Sequence, residues 1–436
     1  MKTAILGGGL TGLTLGYLMK QKDQDIEILE KEPECGGLMR TLEYEGFTFD
    51  YCGSHIIFSK NKEVLEFMLN LLGKNRVRNR RNTKIIYKGR LVKYPFENGL
   101  SDLSKEENFE CLNSFIQNLI RKRSGELGKP TNLKEWCSYT FGEAIAQKYL
   151  IPYNEKIWKY PLEQISLEWV ERVPNPPVED IIKASLGIPT EGYLHQLYFY
   201  YPKVGGIQAL TKSLEKKIGN SITTNFEVVK ICGKDGAWRI SDGKHDKQFG
   251  KIISTIPIQL LVKAIEAPAK IKEAANSLNY NSLITVMLGL KRKIKGHISW
   301  LYIPDHTILP YRVSFSSNFS PKNAPFGKSA LTAEITCKFE DDLWKKKDEA
   351  IVGQVLADLR NLNLIKEEDV MFALTRRTRY AYVINDHNCG KNMKLIRNYF
   401  TQRKIALVGR FSEFKYLNMD ACIKSAMNYI EQNEKK

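Results

Sequence analysis

The start of this chain constrains it more than any other part. Ala4-Ile5-Leu6 reads as a short buried strand, Gly7-Gly8-Gly9-Leu10-Thr11-Gly12 as a glycine-rich turn, and the apolar run behind it as a helix. Gly7, Gly9 and Gly12 have GxGxxG spacing, and each glycine has its own task. Gly7 makes the tight turn, Gly9 lets backbone approach a pyrophosphate, and Gly12 lets the helix pack close to the strand. The helix start, at Leu10 and Thr11, turns free N–H groups and a positive dipole end toward phosphate. A second apolar run, Asp25-Ile26-Glu27-Ile28-Leu29, ends in Glu30, the place where an acid holds a ribose hydroxyl. The competing reading is a strand–helix turn of the same composition with no ligand.

A length of 436 residues allows two or three hydrophobic cores, and 43% hydrophobic with 26% charged residues describes an ordinary soluble protein. No apolar run reaches the roughly 18 residues that a membrane span needs. The first strand begins at Met1 without a signal-peptide core before it, which predicts a cytoplasmic protein. The eight cysteines are scattered, with no CxxC pair and no zinc-type spacing, so reduced thiols and no metal site are expected. The net charge of +17 suits an anionic substrate and cofactor or a solvated basic surface, and the even spread of lysines favours the latter. No nucleic-acid partner is expected; peripheral membrane contact and oligomerisation stay open. The densest basic cluster, Lys74 to Arg81, runs into Lys84 to Val92. That stretch reads as a hairpin turning at Lys88-Gly89, with the cluster as an exposed strand edge or substrate-facing rim.

Further along, Asn61 to Gly73 reads as an amphipathic helix with a glycine stop. Residues 100–195 are mostly helical in pattern, broken by Pro174, Pro176 and Pro177. A helix follows over Ile207 to Ile218, then a strand Asn225 to Ile231 pairing with Ala237 to Ile240. Lys251 to Ile256 is a buried strand ending at Pro257. Strands are predicted at 280–290, 298–303, 330–336 and 372–382. The end of the chain repeats the opening: strand Ile405 to Val408, turn Gly409-Arg410, helix from about Asp420. Distant ends are thus expected to rejoin in one nucleotide-binding domain (1–75, 205–265 and 395–436). Residues 76–204 form a mostly helical insert and residues 266–394 a β-sheet substrate domain.

After Glu30-Lys31 comes Cys35-Gly36-Gly37-Leu38-Met39-Arg40-Thr41, and with Val228 and the segment Ser254 to Pro257 this resembles a flavoprotein group. The group includes amine oxidases, protoporphyrinogen oxidases and UDP-galactopyranose mutases, and the likeness covers nearly the whole chain. It implies FAD as the cofactor. It also implies an α/β fold: a Rossmann-like FAD-binding domain of the glutathione-reductase-like two-dinucleotide type, with an inserted helical domain and an inserted antiparallel-sheet substrate domain. Further segments resemble the mutase branch. Tyr153 to Trp158 is similar to its tyrosine–lysine–tryptophan helix, and Arg172-Val173-Pro174 to the arginine that binds the substrate diphosphate. Phe49 to Phe58 is similar to its histidine loop, which places His55 beside the flavin ring. Tyr380 to Asp386 is similar to its tyrosine pair, and Gly409 to Asp420 to its flavin and substrate motif.

By this resemblance Arg172, Arg410, Tyr382 and Tyr416 hold a diphosphate, Trp158 stacks on a flat group, and His55 stabilises charge at the flavin. Glu30, Lys31, Gly37, Leu38, Arg40, His55, Val228, Gly409, Leu417, Asn418 and Met419 join the opening glycine turn around FAD, and Arg410 and Tyr416 serve the cofactor as well as the diphosphate. The chain departs from the pattern at Asn281, where bacterial mutases carry a second diphosphate arginine, and at Asn418, where they carry aspartate. Lys291, eleven residues beyond Tyr280, is the candidate to supply the charge missing at Asn281. No Ser/His/Asp set or carboxylate pair competes for the chemistry, so the cofactor carries it. The resemblance implies ring isomerisation of a nucleotide-diphosphate sugar through reduced flavin. The alternatives are net oxidation of an apolar substrate, as in protoporphyrinogen or amine oxidases, and a non-catalytic flavin scaffold. Arg172 and Arg410 would otherwise pair with Glu171 and Glu413 on the surface.

Overall fold

A computed structural model describes residues 1–172, 177–190, 197–294 and 296–434. Its centre is a five-stranded parallel sheet in the order Ile405–Leu407, Lys251–Ser254, Thr3–Leu6, Ile26–Leu29, Ile222–Thr223. Thr3–Leu6 and Ile26–Leu29 are buried along their whole length, as expected for parallel strands covered on both faces. The helix Leu10–Lys20 packs on Met419–Glu434 and on Gln208–Ile218, so the two ends of the chain share one layer. It lies close to the sheet because residue 16 is glycine: a Cβ there would stand 2.7 Å from Ile28 Cδ1.

A seven-stranded sheet stands beside this layer, in the order Val370–Val383, Tyr280–Leu290, Ser329–Cys337, Arg312–Ser314, Trp300–Tyr302, Thr83–Tyr87, Arg90–Lys93. Its last two strands are the predicted hairpin, which turns through Lys88 (φ 48°) and Gly89 (φ 76°). The hairpin therefore belongs to the sheet of the 266–394 region, although it arises within the 76–204 segment. Ile85 and Val92 are fully buried, and the strand Thr83–Tyr87 joins the sheet by parallel pairing with Trp300–Tyr302. The rest of that segment is largely helical, as in Lys105–Arg123 and Leu133–Phe141. Among the described residues, no helix is long and apolar enough to cross a membrane.

The expected strand over Asn225 to Ile231 is shorter than predicted, beginning only at Lys230. Asn225 has φ 55°, and the amides of Asn225 and Phe226 bond Glu32 and Glu30 carbonyls at 3.1 and 2.9 Å. Those residues are drawn onto the end of the second strand and leave the ladder. The loop after Phe47–Asp50 is anchored by the buried Asp50 carboxylate. It accepts from Tyr201 Oη (2.7 Å), Thr41 Oγ1 (2.8 Å) and the Ile207 amide (3.0 Å), and burial pushes its pKa up to about 6.

Candidate functional site

One cavity of about 930 Å³ runs from the glycine turn to the seven-stranded sheet. Every residue that the sequence assigned to the cofactor or to the catalytic site lines it except three. Gly12 and Gly409 lie just behind the wall, and the side chain of Arg172 lies outside the described residues, as do Val173 and Pro174.

The glycines divide by function. Gly7 has φ 99°, and a Cβ on Gly12 would fall 1.9 Å from Gly7 O, so both are demanded by the protein's own packing. A Cβ on Gly9 would meet nothing nearer than Gly37 Cα at 3.8 Å; the space it leaves belongs to the cavity. The Gly36 amide bonds Gly8 O at 2.9 Å, which docks the second glycine motif on the first. Gly9, the N-cap of the following helix, offers no side chain to its amides. Open space at Gly9 beside uncapped N–H groups is what a pyrophosphate requires. Glu30 is buried, with its Oε2 2.6 Å from the Gly8 amide and its Oε1 3.0 Å from the Glu32 amide, so the carboxylate is fixed at the edge of the cradle. Arg40 is held by Glu32 at 3.1 Å and by Gly37 O at 3.3 Å. Gly409 serves packing: its Cβ would collide with Thr11 Oγ1 at 2.5 Å.

His55 Nδ1 lies 2.8 Å from Gly53 O, so the proton sits on Nδ1 and Nε2 is the acceptor. Burial pushes its pKa down to about 4, with the Arg410 and Arg312 charges adding to the effect, and the ring is neutral at pH 7. Arg410 donates to Ala381 O at 2.8 Å and Leu417 O at 3.2 Å, while its Nε is buried without a partner. Glu413, the expected surface partner, bonds the Gly409 amide, Ser425 and Lys415 instead. Among the described residues no carboxylate cancels the Arg410 charge. Its guanidinium stands 4.6 Å from the Tyr416 ring centroid, and the Tyr416 and Tyr382 rings lie parallel at 6.1 Å.

Two expectations change. Trp158 is only 2% exposed, packs edge-on against Tyr382 and Tyr416, and donates from Nε1 to Asn154 Oδ1 at 3.0 Å. It walls the cavity and has no open face for stacking; Tyr149 and Tyr153, which also line the cavity, are stacked on each other with ring centroids 5.2 Å apart. Lys291 cannot serve the site. It is exposed beyond the far end of Tyr280–Leu290, an 11-residue strand that carries it roughly 30 Å from Asn281. Asn281 itself is fully buried, and its Nδ2 caps Ile157 O (2.7 Å) and Trp158 O (2.6 Å).

One cation that the sequence did not disclose is Arg312, which lines the cavity beside Tyr311 and is paired with Glu334. Its strand, Arg312–Ser314, is too short to show periodicity. The available signal was Glu334, an acid inside the otherwise uncharged strand Ser329–Cys337, because a buried acid requires a partner.

The chain matches the family described as flavin containing amine oxidoreductase over residues 10–381. It is 23% identical over 214 residues to a UDP-galactopyranose mutase of Mycoplasma pneumoniae, covering 48% of this chain and 51% of the relative; the match thus spans about half of that protein. In fold it is similar to reduced UDP-galactopyranose mutase, with TM-score 0.89, 24% identity, and coverage of 99% of this chain and 96% of the other. A protoporphyrinogen oxidase-like protein from Exiguobacterium sp. 255-15 follows at TM-score 0.78 and 19% identity, covering 99% and 98%.

Proposed function

The chain belongs to the flavin-containing amine oxidoreductases and is an FAD enzyme; from that premise we propose that its substrate is a nucleotide-diphosphate sugar and its reaction a ring isomerisation of the UDP-galactopyranose mutase type. The observation that carries this reading is Arg410. A cation with no carboxylate partner among the described residues, flanked by parallel tyrosines, stands in the same cavity as the glycine cradle. An apolar substrate has no use for it, and a diphosphate does.

The cradle residues Gly7, Gly9, Leu10 and Thr11 hold the FAD pyrophosphate, Glu30 the ribose, and Val228 the adenine side. When bound and reduced, the flavin supplies a nucleophile for the anomeric carbon without net electron transfer. Arg410 and Tyr416 bind the diphosphate and stabilise the charge that grows on it as it leaves, where fixed donors contribute most. Arg172 is assigned to the same group. Trp158 seals the wall behind the tyrosines against water. His55, neutral and fixed by Gly53 O, presents Nε2 as an acceptor beside the flavin loop.

The aromatic side chains of Tyr149 and Tyr153 in the cavity lining favour a second reading, net oxidation of an apolar substrate. The deciding experiment photoreduces the purified holoprotein anaerobically and offers a panel of nucleotide-diphosphate sugars. Ring-isomerised product formed only with reduced flavin, and without stoichiometric loss of reductant, is the expected result. Absence of nucleotide binding, with flavin turned over by an apolar substrate, would transfer the enzyme to the oxidase reading.

A further inference from the structure

Glu334 is fully buried and stands opposite Arg312 in the ladder. Its carboxylate accepts from Arg312 Nε (2.9 Å) and Nη2 (2.5 Å), Tyr311 Oη (2.9 Å), Ser314 Oγ (3.0 Å) and the Ser54 amide (3.3 Å). Burial opposes its charge, but the Arg312 guanidinium and the hydrogen bonds from Arg312 and Tyr311 outweigh burial and hold it below the ordinary carboxylate range. Glu334 is therefore ionised and only accepts.

A direction of hydrogen bonding follows. Tyr311 has one hydroxyl proton, and Glu334 receives it. The 2.8 Å contact between Tyr311 Oη and Tyr382 Oη then has one polarity, with Tyr382 as donor. Toward the cavity, Tyr382 Oη has only lone pairs left. Arg312 also lines the cavity, and with Nε and Nη2 on Glu334 its Nη1 has no partner among the described residues. An arginine nitrogen only donates. The cavity thus presents an acceptor and a donor from one rigid network whose central charge pair is neutral.

We propose that Tyr382 and Arg312 form the hydroxyl-recognising subsite of the substrate pocket: Tyr382 Oη accepts from a sugar hydroxyl and Arg312 Nη1 donates to one. Glu334 is the positioning residue that sets the direction of these bonds and cancels the arginine charge. The inference rests on the nucleotide-sugar reading and refines it. A hydroxyl both donates and accepts, so it satisfies both partners. A phosphate or carboxylate only accepts; it would meet the Tyr382 lone pairs and an arginine already neutralised. The diphosphate accordingly belongs with Arg410, and the sugar is a neutral one. This departs from the phosphate-donor role that the resemblance implied for Tyr382.

The test titrates the holoenzyme calorimetrically with UDP, UDP-galactose and UDP-galacturonate, using the natural chain, Tyr382→Phe and Glu334→Gln. The natural chain should bind the neutral sugar nucleotide more tightly than the uronate. Tyr382→Phe should weaken UDP-galactose roughly five- to tenfold and UDP by no more than about twofold. Glu334→Gln, which uncovers the Arg312 charge, should narrow or invert the preference for the neutral sugar; a purely structural role for Glu334 would leave that ratio unmoved. Equal losses of UDP and UDP-galactose in Tyr382→Phe would make Tyr382 a phosphate ligand and overturn the inference, and this variant decides the matter even if Glu334→Gln does not fold. An unchanged ratio in a folded Glu334→Gln protein overturns it as well. In both cases UDP still binds and the nucleotide-sugar reading stands. If UDP does not bind the natural chain, that reading falls and the inference falls with it.

Discussion

Replacing Asn281 with leucine should loosen the wall of the site by a calculable amount. Asn281 Nδ2 is the partner of two carbonyls, Ile157 O and Trp158 O, at the end of the helix Ile151–Trp158. A helix end leaves such carbonyls without intrahelical partners, and here the site is closed to water, with Asn281 and Trp158 at 0% and 2% exposure. Leucine has the same number and branching of side-chain heavy atoms and no donor. Orphaning two buried carbonyls costs about 1–3 kcal/mol each, and removing Asn281 Oδ1, which has no partner of its own, returns about 1 kcal/mol. The net loss is about 3 kcal/mol. With an unfolding entropy near 2.1 cal/mol/K per residue over 436 residues, about 0.9 kcal/mol/K, Tm should fall by about 3 °C. Because Trp158 packs edge-on against Tyr382 and Tyr416, UDP affinity should fall as well, while FAD stays bound. Scanning calorimetry and UDP titration of the holoprotein check both effects. A Tm within about 1 °C of the natural chain, together with unchanged UDP affinity, would refute the capping argument.

The other predictions address the cradle, the anion site and pH. Gly9→Val should fold yet lose flavin, read as lost visible absorbance, whereas Gly12→Ala should destabilise the fold itself because its Cβ falls on Gly7 O; equal stability of the two variants would contradict the division of roles. Arg410→Lys should weaken UDP binding at least roughly tenfold through loss of the planar fork, with FAD content unchanged; natural affinity would remove Arg410 from the anion site. For His55, the folded pKa of about 4 lies below the unfolded value of 6.5, so the unfolded chain takes up its proton first as pH falls. Stability is then lost between pH 6.5 and 4, by up to roughly 3 kcal/mol. His55→Gln should flatten that part of the acid limb, and identical pH profiles in chemical denaturation would show that His55 is not the group responsible.

The sequence alone determined the nucleotide-binding layer. Gly7, Gly9 and Gly12 answer to local geometry within one strand–turn–helix unit, and Ile26, Ile28, Leu29, Ile252 and Ile253 are buried because parallel strands are covered on both faces. The motifs around Arg40, His55, Tyr382 and Arg410 were legible for the same reason: each is short, local and distinctive. Tertiary structure decided what depends on partners distant in the chain. Lys291 looked available until an 11-residue strand carried it away from the cavity, and Asn281 looked like a missing arginine until its amide was found capping a helix end. Trp158 looked like a stacking platform, but two tyrosines from other segments cover it. The Arg312–Glu334–Tyr311–Tyr382 network joins three strands through the register of one sheet. The direction of its hydrogen bonds is set by which atoms meet in the fold, a property that no single stretch of sequence carries.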